Sequence, residues 1–401
     1  MEQGNYIVLR NTNRVDLSEP YAGFASRSLS AIINPSIRID VESLNKRDIT
    51  DLRRDPEVVN IAPPIPTKLI KPFVSQETET TRESNATWGV IATGADKSPF
   101  TGKGAIVAVL DTGIDANHEA FKGVKIVQKD FTGEGDGDKQ GHGTHCAGTI
   151  FGQVVNGYRF GVAPGVERAL IGKVLDSEGG GTTEQIYRGI LWALDQGAHV
   201  ISMSLGMDFP GLVKSWVDEG MSADLATSKA LESYRANVRL FDSLAALIRA
   251  RGSLFQPSLI VAAAGNESDR QTNPDHELAV APPAAADGIV SVGALQTKGA
   301  PYNALTIAYF SNTGPNICAP GVDIYSAKTK GGYFSLDGTS MATPHVAGIT
   351  ALWIEKLLTE NTQFSVTELT SLLIGRATKT KLAPGYDPMD IGAGLVQAPL
   401  E

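Results

Sequence analysis

The chain predicts an α/β protein whose main domain is a doubly wound parallel sheet. Ala105–Leu110, Ala169–Leu175, Val200–Leu205, Leu259–Ala264 and Ile289–Val292 are near-continuous apolar runs. Strands buried on both faces require such runs. Amphipathic helical patterns alternate with them, which implies parallel strands joined by crossover helices. A proline-rich stretch, Pro63 to Pro72, sets off the first residues as a separate small α+β domain. At 401 residues the chain is long enough for one large domain and one small one.

Within residues 1–72, Tyr6–Arg10 and Ile37–Val41 read as strands, the second by strict alternation. Asp48 to Arg54 has helical spacing, Asp55-Pro56 breaks it, and Val58–Ile61 reads as a further strand. The proline-rich stretch is extended because each proline restrains its own φ and the residue before it. Residues 73–87 are dominated by Ser, Thr, Glu and Gln and read as a linker. Residues 88–401 form the main domain. There, Thr183–Gln196 has helical spacing and stops at Gly197. Leu231, Tyr234, Val238, Phe241, Leu244 and Ile248 recur at spacings of three and four and predict a long amphipathic helix. Thr339–Leu358 is a long helix that opens on a serine.

That serine frames the chemistry. Gly338 lets the backbone turn sharply. Ser340 follows at a helix N-terminus, where the dipole favours developing negative charge. A serine hydroxyl needs a base. His142, between Gly141 and Gly143, can take a proton and return it near neutral pH. Asp111 ends an apolar run and can orient that imidazole, and Asn266 ends another and can donate to an oxyanion. An N-cap serine and an Asx-turn asparagine are the competing readings of single residues.

Taken together, Val107–Asp115, Gly141–Gly148, Val261–Asn266 and Gly338–Gly348 resemble four blocks of the subtilisin-like serine proteases, the subtilases. Their Asp-His-Ser order is subtilisin's own. The resemblance runs from about Gly89 to Asp390–Ala398. It implies a mostly parallel, seven-stranded sheet with helices on both faces. It implies a serine endopeptidase with an acyl-enzyme on Ser340, His142 as general base and acid, Asp111 orienting it, and Asn266 in the oxyanion hole. It assigns the first specificity pocket to Ser204, Leu205 and Gly206 on one wall, Ala262, Ala263, Ala264 and Gly265 on the other, and Ala281 at the base. Small uncharged residues there predict a large apolar residue before the scissile bond. By resemblance His145, His345 and Asp115 are structural. Cys146 and Cys318 read as buried free thiols.

Residues 51–59 resemble the end of a subtilase propeptide, so residues 1–72 are expected to act as an intramolecular inhibitor. Self-cleavage is then expected between about Ile65 and Thr87, near Leu69–Ile70 or after Phe73. Two features depart from the family. The segment between Gly206 and Asn266 is longer than in a minimal subtilisin, and its helix reads equally as a core cover or a wall over the groove. Ala120 stands where the tight calcium site has a carboxylate. Asp130, Glu134, Asp136 and Asp138, in a glycine-rich loop, are candidate ligands for a structural calcium ion. A merely solvated acidic loop competes. No cofactor is expected for the chemistry.

The expected partners are a protein or peptide substrate and the chain's own N-terminal segment. A net charge of −9 argues against nucleic acid, and no apolar run reaches the length of a membrane span. Met1 to Tyr6 shows no basic region followed by an apolar core, so a cytoplasmic protein is expected, with secretion as the alternative. Two rival activities share the fold. One is a transamidase or peptide cyclase, in which the long segment excludes water. The other is a non-catalytic binding module.

Overall fold

The computed structural model describes residues 3–12, 37–74, 84–252, 256–360 and 362–401. Seven parallel strands form the central sheet. Their order is Ile317–Pro320, Val290–Gln296, Leu259–Ala263, Val200–Met203, Ile106–Asp111, Arg168–Lys173 and Lys125–Asp130. An eighth strand, Thr306–Ile307, pairs antiparallel with Val290–Gln296. Two of the parallel strands carry little sequence signal. Lys125–Asp130 is half-exposed and mixed in polarity, and Ile317–Pro320 is only four residues long.

Alternation along the central strands divides the core into two layers. Val107 and Val109 face a cluster that includes the helices His142–Phe151 and Thr339–Thr359. Ala108 and Leu110 face the other cluster, with the helices Thr183–Asp195 and Ala223–Gly252. Thr339–Thr359 is buried on every side from Thr339 to Ile354. A helix that is apolar all round belongs inside a core.

The N-terminal unit is a three-stranded antiparallel sheet in the order Ile37–Leu44, Gly4–Asn11, Val58–Ala62. Its helix, Lys46–Leu52, starts at a reciprocal capping box between Asn45 and Asp48. Val8, Leu44 and Ile61 turn toward a small local core. Ile7, Leu9 and Ala62 turn the other way and join Tyr187, Leu240, Phe241 and Leu244 of the main domain. The long helix Ala223–Gly252 is therefore the dock for this unit. Asn60 donates to Ser243 Oγ at 3.3 Å and Asn237 donates to the Pro63 carbonyl at 2.7 Å across the junction.

Beyond Pro63 the chain crosses the main domain as an added strand. Pro66–Leu69 is the middle strand of a three-stranded antiparallel sheet, between Leu205–Met207 and Gly180–Thr182. Phe73–Val74 then pairs with Tyr333–Asp337. These two residues, expected to open the linker, are thus a strand. The ring of Phe73 lies 5.2 Å from that of Phe310, which gives it an apolar partner no linker residue would have. The centre of the expected linker, 75–83, lies outside the described residues. Among the described residues no helix is long and apolar enough to cross a membrane.

Candidate active site

Asp111 stands at the carboxyl end of a central strand, where open parallel sheets place their sites. The helix His142–Phe151 begins beside it. Gly143 permits this approach, because a Cβ there would come within 2.2 Å of the Gly113 carbonyl oxygen. Asp138 locks the junction. Its carboxylate accepts from Thr112 Oγ1, Gln140 N, Gly141 N, Thr144 N and Thr144 Oγ1 at 2.6–3.1 Å. An acid at a helix N-terminus also suits the dipole. The result is a buried pair, with His142 Nδ1 2.8 Å from Asp111 Oδ1 and 3.0 Å from Oδ2.

The protonation of that pair follows from its surroundings. Burial is the largest single influence and pulls the His142 imidazole down, but the Asp111 carboxylate and the neighbouring Cys146 together outweigh it and hold the imidazole well above its ordinary 6.5. A base works only when neutral, and a raised value keeps His142 protonated to higher pH. The acid limb of kcat/KM should therefore be centred above 6.5. A limb centred below that value would show that Asp111 does not hold the charge. His145 and His345 behave oppositely. Burial lowers them to about 3 and about 4, so both stay neutral, and each contacts a backbone carbonyl, of Ile324 and Met341 respectively.

Ser340 is the second residue of its helix and is fully buried. Pro344, four residues on, has no N–H to give the Ser340 carbonyl. Ser204 Oγ and Cys146 Sγ donate to that carbonyl instead, at 3.2 and 3.4 Å. Asn266 is oriented from one side, because its Oδ1 accepts from Thr339 N at 2.9 Å and Thr339 Oγ1 at 2.8 Å. Its Nδ2 then faces the cleft. Both Ser340 and Asn266 hold the N-terminal segment. Ser340 Oγ donates to the Ile70 carbonyl at 3.1 Å, and Asn266 Nδ2 donates to the Lys71 carbonyl at 3.0 Å. His142 Nε2 is buried without a hydrogen-bond partner.

The expected pocket segments also meet. Ala281 N donates to Ala264 O at 2.9 Å, and Met207 N donates to Pro282 O at 2.9 Å. These bonds tie the strand end Ala262–Gly265 and the stretch Ser204–Gly206 to the Ala281-Pro282 turn. The buried Ile70 side chain lies against Gly206, close enough that a Cβ on Gly206 would sit 3.7 Å from Ile70 Cγ1.

The four candidate calcium ligands do not converge. Asp130 accepts from Thr132, Gly133 and Gly135 of its own turn. Glu134 accepts from Ser177 N and Oγ and lies 3.2 Å from Lys173 Nζ. Asp138 is the helix lock described above, and Asp136 is exposed. Cys146 and Cys318 are free and buried, as expected.

Comparison with known proteins decides the family. The model of the subtilase family matches residues 102–394. The chain belongs to the subtilase family. It is a serine endopeptidase, and its substrates are proteins or peptides. The family's chemistry needs no cofactor. This subtilase is 34% identical over 305 residues to an intracellular serine protease of Paenibacillus polymyxa, covering 74% of this chain and 79% of that one. It is 37% identical over 265 residues to the major intracellular serine protease of Bacillus subtilis (strain 168), covering 63% and 68%. Subtilisin DY of Bacillus licheniformis is 34% identical over 279 residues, covering 67% and 84%. Among solved structures, fervidolysin from Fervidobacterium pennivorans superposes with a TM-score of 0.67 at 24% identity, over 100% of this subtilase and 62% of that chain. That likeness speaks for the fold.

Two residues of the site were missed by sequence reasoning. Thr339 has no role in the sequence reading beyond starting the helix, yet it aims Asn266. Asp138 reads as a metal ligand, yet it holds the Asp111 loop to the His142 helix. A usable signal existed for the second, since an acid just ahead of a helix start is a capping signal.

Proposed function

We propose that Ser340, His142, Asp111 and Asn266 carry the hydrolysis and that the N-terminal segment inhibits it from within the cleft. Ser340 Oγ attacks the substrate carbonyl while His142 Nε2 takes its proton, then gives it to the leaving amine. Asp111 keeps the proton of the imidazole on Nδ1, so that Nε2 is free to act as base. Asn266 Nδ2 and the Ser340 N–H stabilise the oxyanion. Water then releases the acyl group by the reverse sequence. Ile70 against Gly206 supports a preference for a large apolar residue before the bond.

The observation that carries the inhibitory reading is the grip on two successive carbonyls. A substrate poised for attack presents one carbonyl, with its carbon to the nucleophile and its oxygen to the oxyanion donors. Here Ser340 holds the oxygen of Ile70 while Asn266 holds that of Lys71. The serine proton is thereby turned away from His142, whose Nε2 has no partner. Because the segment belongs to the same chain, its effective concentration is high, roughly millimolar for a short tether. The Ala223–Gly252 helix packs its apolar face on the core and docks the N-terminal sheet. That arrangement supports hydrolysis over transfer to an amine. The carboxylates of Asp130, Glu134 and Asp138 are taken by hydrogen bonds, which supports a loop braced without calcium. Relatives named as intracellular proteases support a cytoplasmic enzyme.

Intact mass and activity test the inhibitory reading. On incubation the chain should lose about its first seventy residues as activity rises, while Ser340→Ala stays full length. A separate peptide of residues 1–72 should then inhibit the processed enzyme. The reading is overturned if a chain starting at Ser84 folds unaided and that peptide neither binds nor inhibits it.

A further inference from the structure

We infer that Asp208 makes this protease select substrates with a lysine or arginine as the third residue before the scissile bond, counting the residue at the bond as the first. The inference rests on reading the N-terminal segment as a substrate mimic. Its register is fixed by backbone contacts. Leu205, Gly206 and Met207 pair with Leu69, Lys68 and Thr67, while Gly180, Gly181 and Thr182 pair with Lys68, Thr67 and Pro66. Leu69 N donates to Gly179 O at 2.8 Å. With the buried Ile70 next to Ser340 as the first residue, Leu69 is the second and Lys68 the third.

Asp208 meets this strand twice. Its backbone N–H donates to the Pro66 carbonyl at 2.9 Å, and its carboxylate Oδ1 lies 3.0 Å from Lys68 Nζ. The same oxygen accepts from Gly211 N at 3.2 Å, as the N-cap of the helix Phe209–Asp218. The carboxylate is thus held before any substrate arrives, so less side-chain freedom is lost when the pair forms. The backbone contact sets the distance at which the third side chain must reach it. Side chains alternate along an extended strand, so the third residue returns to the face of the first, two residues further along, and meets a surface of its own there. Here that surface is an acid.

The side chains of Lys68 and Asp208 remain 43% and 28% exposed. A pair this open to water is screened by salt and modest in strength, so the expected preference is about threefold in kcat/KM at low ionic strength. The full chain, incubated until its activity on casein is constant, is given competing peptides. Each carries the sequence of residues 65–70 with position 68 as Lys, Gln or Glu, followed by four small residues, and products are counted by mass. The Lys peptide should be consumed fastest and the Glu peptide slowest, and the spread should shrink as salt is added. Asp208→Asn keeps a capping side chain, and it should bring the three rates together. Asp208→Lys should reverse their order. Equal rates with the unaltered protein, or a lysine preference that survives Asp208→Asn, overturn the assignment. Cleavage at a different bond, or none, overturns the mimic register and the assignment with it.

Discussion

Replacing Ser340 with alanine should lower kcat by about 10⁶, the loss known for subtilisin's own serine. The chemistry leaves no substitute nucleophile. Cys146 is the nearest thiol group to the pair, but burial raises it above its ordinary value and it lies against His142 Nδ1, on the side facing Asp111. Thr339 is turned to Asn266 and Gly265. A fluorophosphonate should label the active protein once, at Ser340, and should leave Ser340→Ala unlabelled. Labelling that persists in the alanine variant would place the nucleophile elsewhere. Substituting the serine removes only a hydroxyl in a fully buried helix start, and the helix there is held by its apolar sides. The melting temperature should therefore change little, which separates loss of chemistry from loss of fold.

Asp111→Asn should cost about 10⁴ in kcat at neutral pH. The carboxylate accepts from both His142 Nδ1 and Thr112 N, the latter at 2.7 Å. An asparagine has one acceptor and one donor in the same space. If its oxygen keeps Thr112 N, its amide faces His142 Nδ1 and forces the proton to Nε2, the nitrogen that must act as base. The electrostatics move in the same direction. Without the carboxylate, burial is left to pull the imidazole down. The acid limb of kcat/KM should then fall below its position in the unaltered enzyme while the plateau drops. A plateau within tenfold of the original would mean that His142 is oriented by something other than Asp111.

Much of the site is legible in the sequence. Asp111, His142, Asn266 and Ser340 each sit where a strand ends or a helix begins, and such punctuation is local. The apolar strands were legible for the same reason, since burial on both faces leaves nothing to alternate. Lys125–Asp130 was not, because an edge strand with a half-exposed face lacks that run. Asp138 reads as a cation ligand in the sequence because acid and glycine together suit both a calcium loop and a helix cap. What decides between them is which donors arrive from Thr112 and Thr144, and neither is adjacent in the chain.

Residue types and spacing by themselves determined the five apolar strands of the sheet, the chain order of the reacting groups and an extended stretch that could lie in a cleft. Tertiary structure alone decided where that stretch lies. Residues 65–74 carry no mark that names their partners, because a strand's hydrogen bonds come from backbone every residue shares. Only the fold sets Lys68 beside Asp208, Ile70 beside Ser340 and Lys71 beside Asn266. These contacts span up to 270 residues, so they depend on the docking of Ile7, Leu9 and Ala62 against the Ala223–Gly252 helix. That docking is a matter of shape and buried area, which no local pattern encodes.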